Sequence, residues 1–264
     1  MAKEESIKNS KLYTDLRSEL ANAFAQQIDV MNGKSDAKES MRLVGSSGIL
    51  STVDGADYKV GITTMVNQLI ASLNDSIIMS LHDHPNAVDA FTPDDIDSFA
   101  RLYYDQGAKI NGIIANGIVK TIDFSGISKD VAIKIGQSFS ENLSAAAKRS
   151  GVFSYDQGNI VPIPEVDALA KSNPEKYQEI MDGIIESANA SLDEAFKQNG
   201  LESTVKTFSA KQLPDLIQYL LDVQKSGEGA IAPVDKLKKL IMSLKPNQTF
   251  EWNNYADILK RFED

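Results

Sequence analysis

His82 and His84, the only histidines of the chain, stand two places apart in Ser80-Leu81-His82-Asp83-His84-Pro85. Asp95 follows within Phe91-Thr92-Pro93-Asp94-Asp95-Ile96. Imidazole nitrogen and carboxylate oxygen are good zinc ligands. Three protein ligands leave an open position for water or substrate, which marks catalytic rather than structural Zn2+. The chemistry such a set supports is hydrolysis by a metal-activated water. Two other readings compete with it. Thr92-x-x-Asp95 is also a helix-capping pair, and a lone His-x-His pair can be surface or core decoration.

The ligands need rigid elements to aim them. In a strand, residues i and i+2 point to one side, so a short apolar strand over Ser76–Leu81 delivers both histidines at its carboxyl end. Pro85 then stops ladder pairing. Thr92-Pro93 starts the next helix, with threonine as N-cap and proline in the first turn. Asp95 falls in that turn, where a carboxylate is electrostatically favoured and can turn back toward the strand. Ile96, Phe99 and Tyr103 form the buried stripe of this helix.

Upstream, Leu12, Leu16, Leu20, Phe24 and Ile28 recur every four residues and predict a helix that ends at Asn32-Gly33. Asp54-Gly55 predicts a hairpin between extended stretches at 41–53 and 57–62. Thr63 or Thr64 can cap a helix carrying Met65, Leu69, Ile70 and Leu73. Lys109–Ala115 and Ile118–Phe124, joined by Asn116-Gly117, predict a second hairpin. Beyond Gly126 the pattern is mainly helical, with helices expected near 128–148, 174–198, 209–225, 233–244 and 253–263. Gly151–Pro164 reads as a loop or irregular hairpin. The expected fold is α/β: a mixed sheet flanked by helices in residues 1–126, then a mainly helical region over 127–264.

Composition narrows the function. The chain has no cysteine among its 264 residues, which removes disulfides, thiolate catalysis and Cys-based metal sites. That also removes the zinc nucleobase deaminases, which need a cysteine pair. With two histidines in all, metal sites that need further histidines are excluded. A net charge of −10 without a basic cluster argues against nucleic acid and anionic membrane surfaces as partners. The charged start Met1-Ala2-Lys3-Glu4-Glu5 has no apolar stretch behind it, and no apolar run is long enough to span a bilayer. A cytoplasmic location, with no membrane partner, is the expectation. Oligomeric state is not legible.

His82-x-His84-Pro85 with Thr92-x-x-Asp95 at this spacing resembles the JAMM (JAB/MPN) metalloprotease family, whose motif is His-x-His-Pro followed by Ser-x-x-Asp. The wording around Phe91–Ile96 is closer to the bacterial and phage branch. The resemblance covers the first half of the chain, and the order of elements from 11 to 126 is similar to that family's MPN (cytidine-deaminase-like) fold. It implies zinc held by His82, His84 and Asp95, and a glutamate base one strand upstream. Glu39 is best placed for that role, with Glu19 as the alternative. Thr92 takes the serine position, where a hydroxyl can donate to a developing oxyanion. Asp83 is expected to face away from the metal. The implied activity is a zinc peptidase or isopeptidase acting on a protein or peptide, ubiquitin-like proteins included. The alternatives are an inactive module serving in binding or assembly, and a mobile-element effector domain.

Overall fold

The computed structural model describes residues 10–31, 38–45, 50–57, 77–84, 88–156 and 159–225. In these the chain runs α1 (Lys11–Met31), β1 (Lys38–Gly45), β2 (Leu50–Asp57), β3 (Ile77–Asp83), α2 (Pro93–Gln106), β4 (Ile110–Ala115) and β5 (Ile118–Asp123). It continues through α3 (Lys129–Ser150), β6 (Phe153–Asp156), β7 (Asn159–Pro162), the short α4 (Pro164–Asp167) and α5 (Leu169–Ser172), and α6 (Pro174–Gln198). Then come β8 (Lys206–Ser209) and, after one 3-10 turn, α7 (Leu213–Lys225). The helices expected after Thr63, near 233–244 and near 253–263 lie outside the described residues.

Among the described residues six strands form one mixed sheet in the order β2-β1-β3-β4-β5-β8. Of these, only β3 and β4 pair in parallel, and α2 provides their crossover. The fold is α/β, as expected. One sheet face packs Met41, Ile113 and Ile122 against Phe99, Phe139 and Phe196 of α2, α3 and α6. The other packs Val44, Leu81 and Ile114 against Leu16 and Leu20 of α1 and Leu216 and Leu220 of α7. Among the described residues no helix is long and apolar enough to cross a membrane.

The turn signals divide. Asn116-Gly117 makes the expected tight hairpin, with Ala115 opposite Ile118 and both turn residues at positive φ, 47° and 76°. Asp54-Gly55 does not turn the chain. Ser40 pairs with Asp54 and Lys38 with Asp57, so two steps along β1 match three along β2. The extra residue makes a β-bulge, a feature that draws on the same glycine chemistry as a turn. The connection between β1 and β2 instead lies between Gly45 and Leu50.

Helix α1 also departs from its expected stripe. Leu12, Leu16, Leu20, Ala23 and Gln27 are buried while Ile28 is 53% exposed. Steps of four overshoot the 3.6-residue turn, so the buried line shifts from 28 to 27.

Sheet and core both cross the expected division at residue 126. Strand β8 extends the sheet beside β5, and α3 and α6 contribute Phe139, Leu143, Leu192 and Phe196 to the same cluster as Met41 and Phe99. The segment 151–164 contains the two-stranded β6–β7 pair.

Candidate metal centre

Strand β3 is buried along its length and carries His82 at its end, with His84 just beyond. The strand geometry holds past Asp83, since the His84 backbone N–H donates to the Ile114 carbonyl at 3.0 Å. Both imidazoles therefore leave the sheet on the face covered by α2. Their rings lie 5.1 Å apart, and His82 packs 5.4 Å from Phe99 of α2.

Asp95 reaches them from the first turn of α2. Thr92 is the N-cap, and its Oγ1 accepts the Asp95 N–H at 3.2 Å. Asp95 Oδ2 in return accepts the Thr92 N–H at 2.7 Å. The same carboxylate places Oδ1 3.1 Å from His82 Nε2 and Oδ2 3.5 Å from His84 Nε2. The two Nε2 atoms are 3.2 Å apart. The 3.2 Å between the two Nε2 atoms and the 3.1 Å from His82 Nε2 to Oδ1 are close to the edge of a zinc tetrahedron, about 3.3 Å for bonds of about 2.0 Å. His82, His84 and Asp95 thus form a group able to hold a metal ion, with a donor set compatible with zinc.

Two further contacts prepare the ligands. His84 Nδ1 donates to the Val88 carbonyl at 2.8 Å. That bond directs the Nε2 lone pair of neutral His84 into the cluster, as outer contacts of metal-binding histidines do. Electrostatics favour an anion at Asp95. Burial opposes its charge, but His82 and His84 overcome this by charge and hydrogen bonding, and hold the carboxyl far below its usual range. Burial alone would lower His84. Its hydrogen bond to Asp95, the Asp95 charge and the Val88 contact raise it instead.

Glu39 belongs to the same face. Met41 on β1 lies opposite His82 on β3. Continuing the antiparallel register by two places sets Glu39 beside His84, on the same side of the sheet. Burial pushes the Glu39 carboxyl up, against the lowering effect of the His82 and His84 charges. It lies outside the group formed by His82, His84 and Asp95. Glu19, the alternative base, is on the opposite face, where its Oε2 is 3.5 Å from Arg42 Nε. Asp83 points the same way. Its Oδ1 is 3.2 Å from the Arg42 guanidinium and accepts the Ser40 N–H at 2.5 Å.

Four supporting residues carried no local signal in the sequence. Gln27 of α1 donates to the carbonyls of His84 at 3.0 Å and Ile114 at 2.8 Å. Arg42 braces Asp83 from beneath. Lys120 of β5 donates to the Asp89 carbonyl in the segment leading to α2. Tyr155 of β6 donates to Asp94 Oδ1 at 3.4 Å, and burial with the Asp94 charge pushes its hydroxyl up to about 12. Comparison with known proteins gives no match to a family model, a curated protein or a solved structure.

Proposed function

We propose that this chain is a zinc-dependent peptidase or isopeptidase of the JAMM type, with His82, His84 and Asp95 as the metal ligands. The observation that carries the reading is the convergence of one ligand atom each from His82, His84 and Asp95 within 4.8 Å of one another, with Glu39 on the same sheet face. Three ligands leave a position open, which structural zinc does not. The MPN-like arrangement of strand, histidine pair, capped helix and upstream glutamate on a neighbouring strand supports the same assignment.

Zinc held by His82, His84 and Asp95 would supply Lewis acidity and lower the pKa of a water so that hydroxide is available near neutral pH. The Glu39 carboxylate is the group of this chain that would take a proton from water and return it to the departing amine. A carboxyl raised by burial suits this exchange better than one at its ordinary value. Thr92 Oγ1 accepts from the Asp95 N–H and so keeps its own proton to donate to the developing oxyanion. The threonine methyl restricts χ1, which holds the Oγ1 oxygen at the cap while its hydrogen can still turn. The substrate class is a peptide or isopeptide amide in a protein partner, ubiquitin-like proteins included.

Glu39→Gln tests the assignment. It should retain zinc and lose at least about 100-fold in cleavage of a mixed panel of linear and isopeptide-linked substrates. Cleavage at the wild-type rate would remove Glu39 as the base.

A further inference from the structure

We propose that Lys120 and Asn189 form a brace that sets the metal affinity of the centre, although neither is a ligand. The inference rests on the metal reading above.

Lys120 lies on the same sheet row as His82: His82 pairs with Ile113, and Ile113 with Lys120. Two strand spacings, about 10 Å, separate them. Lys120 is 8% exposed, and its hydrogen-bond acceptors are neutral oxygens. The ammonium donates to the Asp89 carbonyl and to Asn189 Oδ1 of α6 at 3.3 Å. Taking an ammonium out of water is costly, and the charge of the Asp89 carboxylate offsets part of that cost. What the charge adds is a hold on Asp89, through its carbonyl and its carboxylate together.

That carbonyl follows directly on the one that orients His84. The Val88 carbonyl accepts His84 Nδ1–H at 2.8 Å, and the next carbonyl along the chain is gripped by Lys120. Two consecutive carbonyls are thus tied, one to a ligand and one to the brace. Asn189 aims the ammonium from the far side. Val88, Ala90 and Phe91, on either side of Asp89, are packed in the core. Through this contact, helix α6 of the second half acts on the geometry of a site built in the first.

The test uses the full chain, with zinc affinity measured by competition against a chromogenic chelator and ligand geometry by the visible spectrum of the Co2+ form. Lys120→Met should bind zinc about 10–100-fold more weakly, the range for loss of an outer contact to a metal ligand, and should shift the cobalt bands. Asn189→Ala should weaken binding in the same direction by less, with an unchanged melting temperature of the metal-free protein. The double variant should bind no more weakly than Lys120→Met, because Asn189 acts through the lysine. If Lys120→Met does not fold, Asn189→Ala decides by affinity and cobalt spectrum. Wild-type affinity and cobalt spectra in the variants that fold would overturn the brace while leaving the metal centre standing. Absence of zinc binding in the wild type would overturn both.

Discussion

Asp95 accepts the backbone N–H of Thr92 at 2.7 Å with the same carboxylate that stands 3.1 Å from His82 Nε2. Helix capping and metal ligation, which compete as readings of Thr92-x-x-Asp95, are here geometrically compatible in one side chain. The cap fixes the carboxylate rotamer before any ion arrives. Preorganisation of this kind lowers the entropy lost on binding.

Substitutions separate the two uses. Asp95→Asn keeps an amide oxygen able to accept the Thr92 N–H but removes the anion. It should melt within a few degrees of wild type when metal-free and bind zinc more than about 100-fold more weakly. Thr92→Ala removes the cap oxygen, should cost about 1 kcal/mol of stability, and should leave zinc stoichiometry intact. Denaturant titration with zinc competition assays measures both. Equal loss of zinc in the two variants would mean that the cap, not the charge, governs the site.

The pH dependence has opposite signs with and without metal. His84 is raised above its ordinary 6.5 in the metal-free fold. Its stabilising contribution is therefore complete below about 6.5 and is lost as pH rises through the folded value. Glu39, raised above 4.5 by burial, adds a loss in the same direction. Asp95 is lowered, so its contribution is present above 3.8 and disappears only in strong acid. Metal-free protein should accordingly melt at lower temperature at pH 8 than at pH 6. Zinc needs deprotonated ligands, so the melting increase caused by zinc should grow over the same interval. Calorimetry at the two pH values, with and without zinc, checks the crossing. A metal-free protein more stable at pH 8 would contradict the ionisation pattern.

Beneath the site, Arg42 and Asp83 form an ion pair in which the arginine side chain is 3% exposed and the aspartate fully buried. Asp83→Ala should cost up to about 3 kcal/mol, since it leaves the buried guanidinium only the Glu19 carboxylate, 3.5 Å away and partly exposed. Replacing both partners, Arg42→Met with Asp83→Leu, should recover most of that loss. Urea unfolding of the single and double variants gives the comparison. An additive loss in the double variant would show that the pair's packing, rather than its charge, matters.

How far the sequence reveals this arrangement depends on how local each cause is. The hairpin at Asn116-Gly117 is legible because positive φ at two adjacent residues is a demand met within the turn itself. The start of α2 is legible because cap, proline and acid lie within four residues. His82, His84 and Asp95 are legible because their types and spacing alone suffice to bring donors able to hold a metal ion into one group. Asp54-Gly55 misleads because glycine serves a bulge as readily as a turn, and the pairing that decides between them involves Lys38 and Ser40 on another strand. Gln27 replaces Ile28 on the buried side of α1 because its partners, the carbonyls of His84 and Ile114, are 57 and 87 residues away. Arg42, Lys120 and Asn189 escape for the same reason. Their roles are set by backbone oxygens and charges that only the folded sheet brings near.

Zinc content tests the centre most directly. Purified wild type and His84→Ala, each dialysed exhaustively after zinc loading, are compared by elemental analysis per chain. About one zinc per wild-type chain and almost none in His84→Ala is the predicted result. Zinc-free wild type after loading, or equal zinc in both proteins, would contradict the assignment of His82, His84 and Asp95 as a metal site.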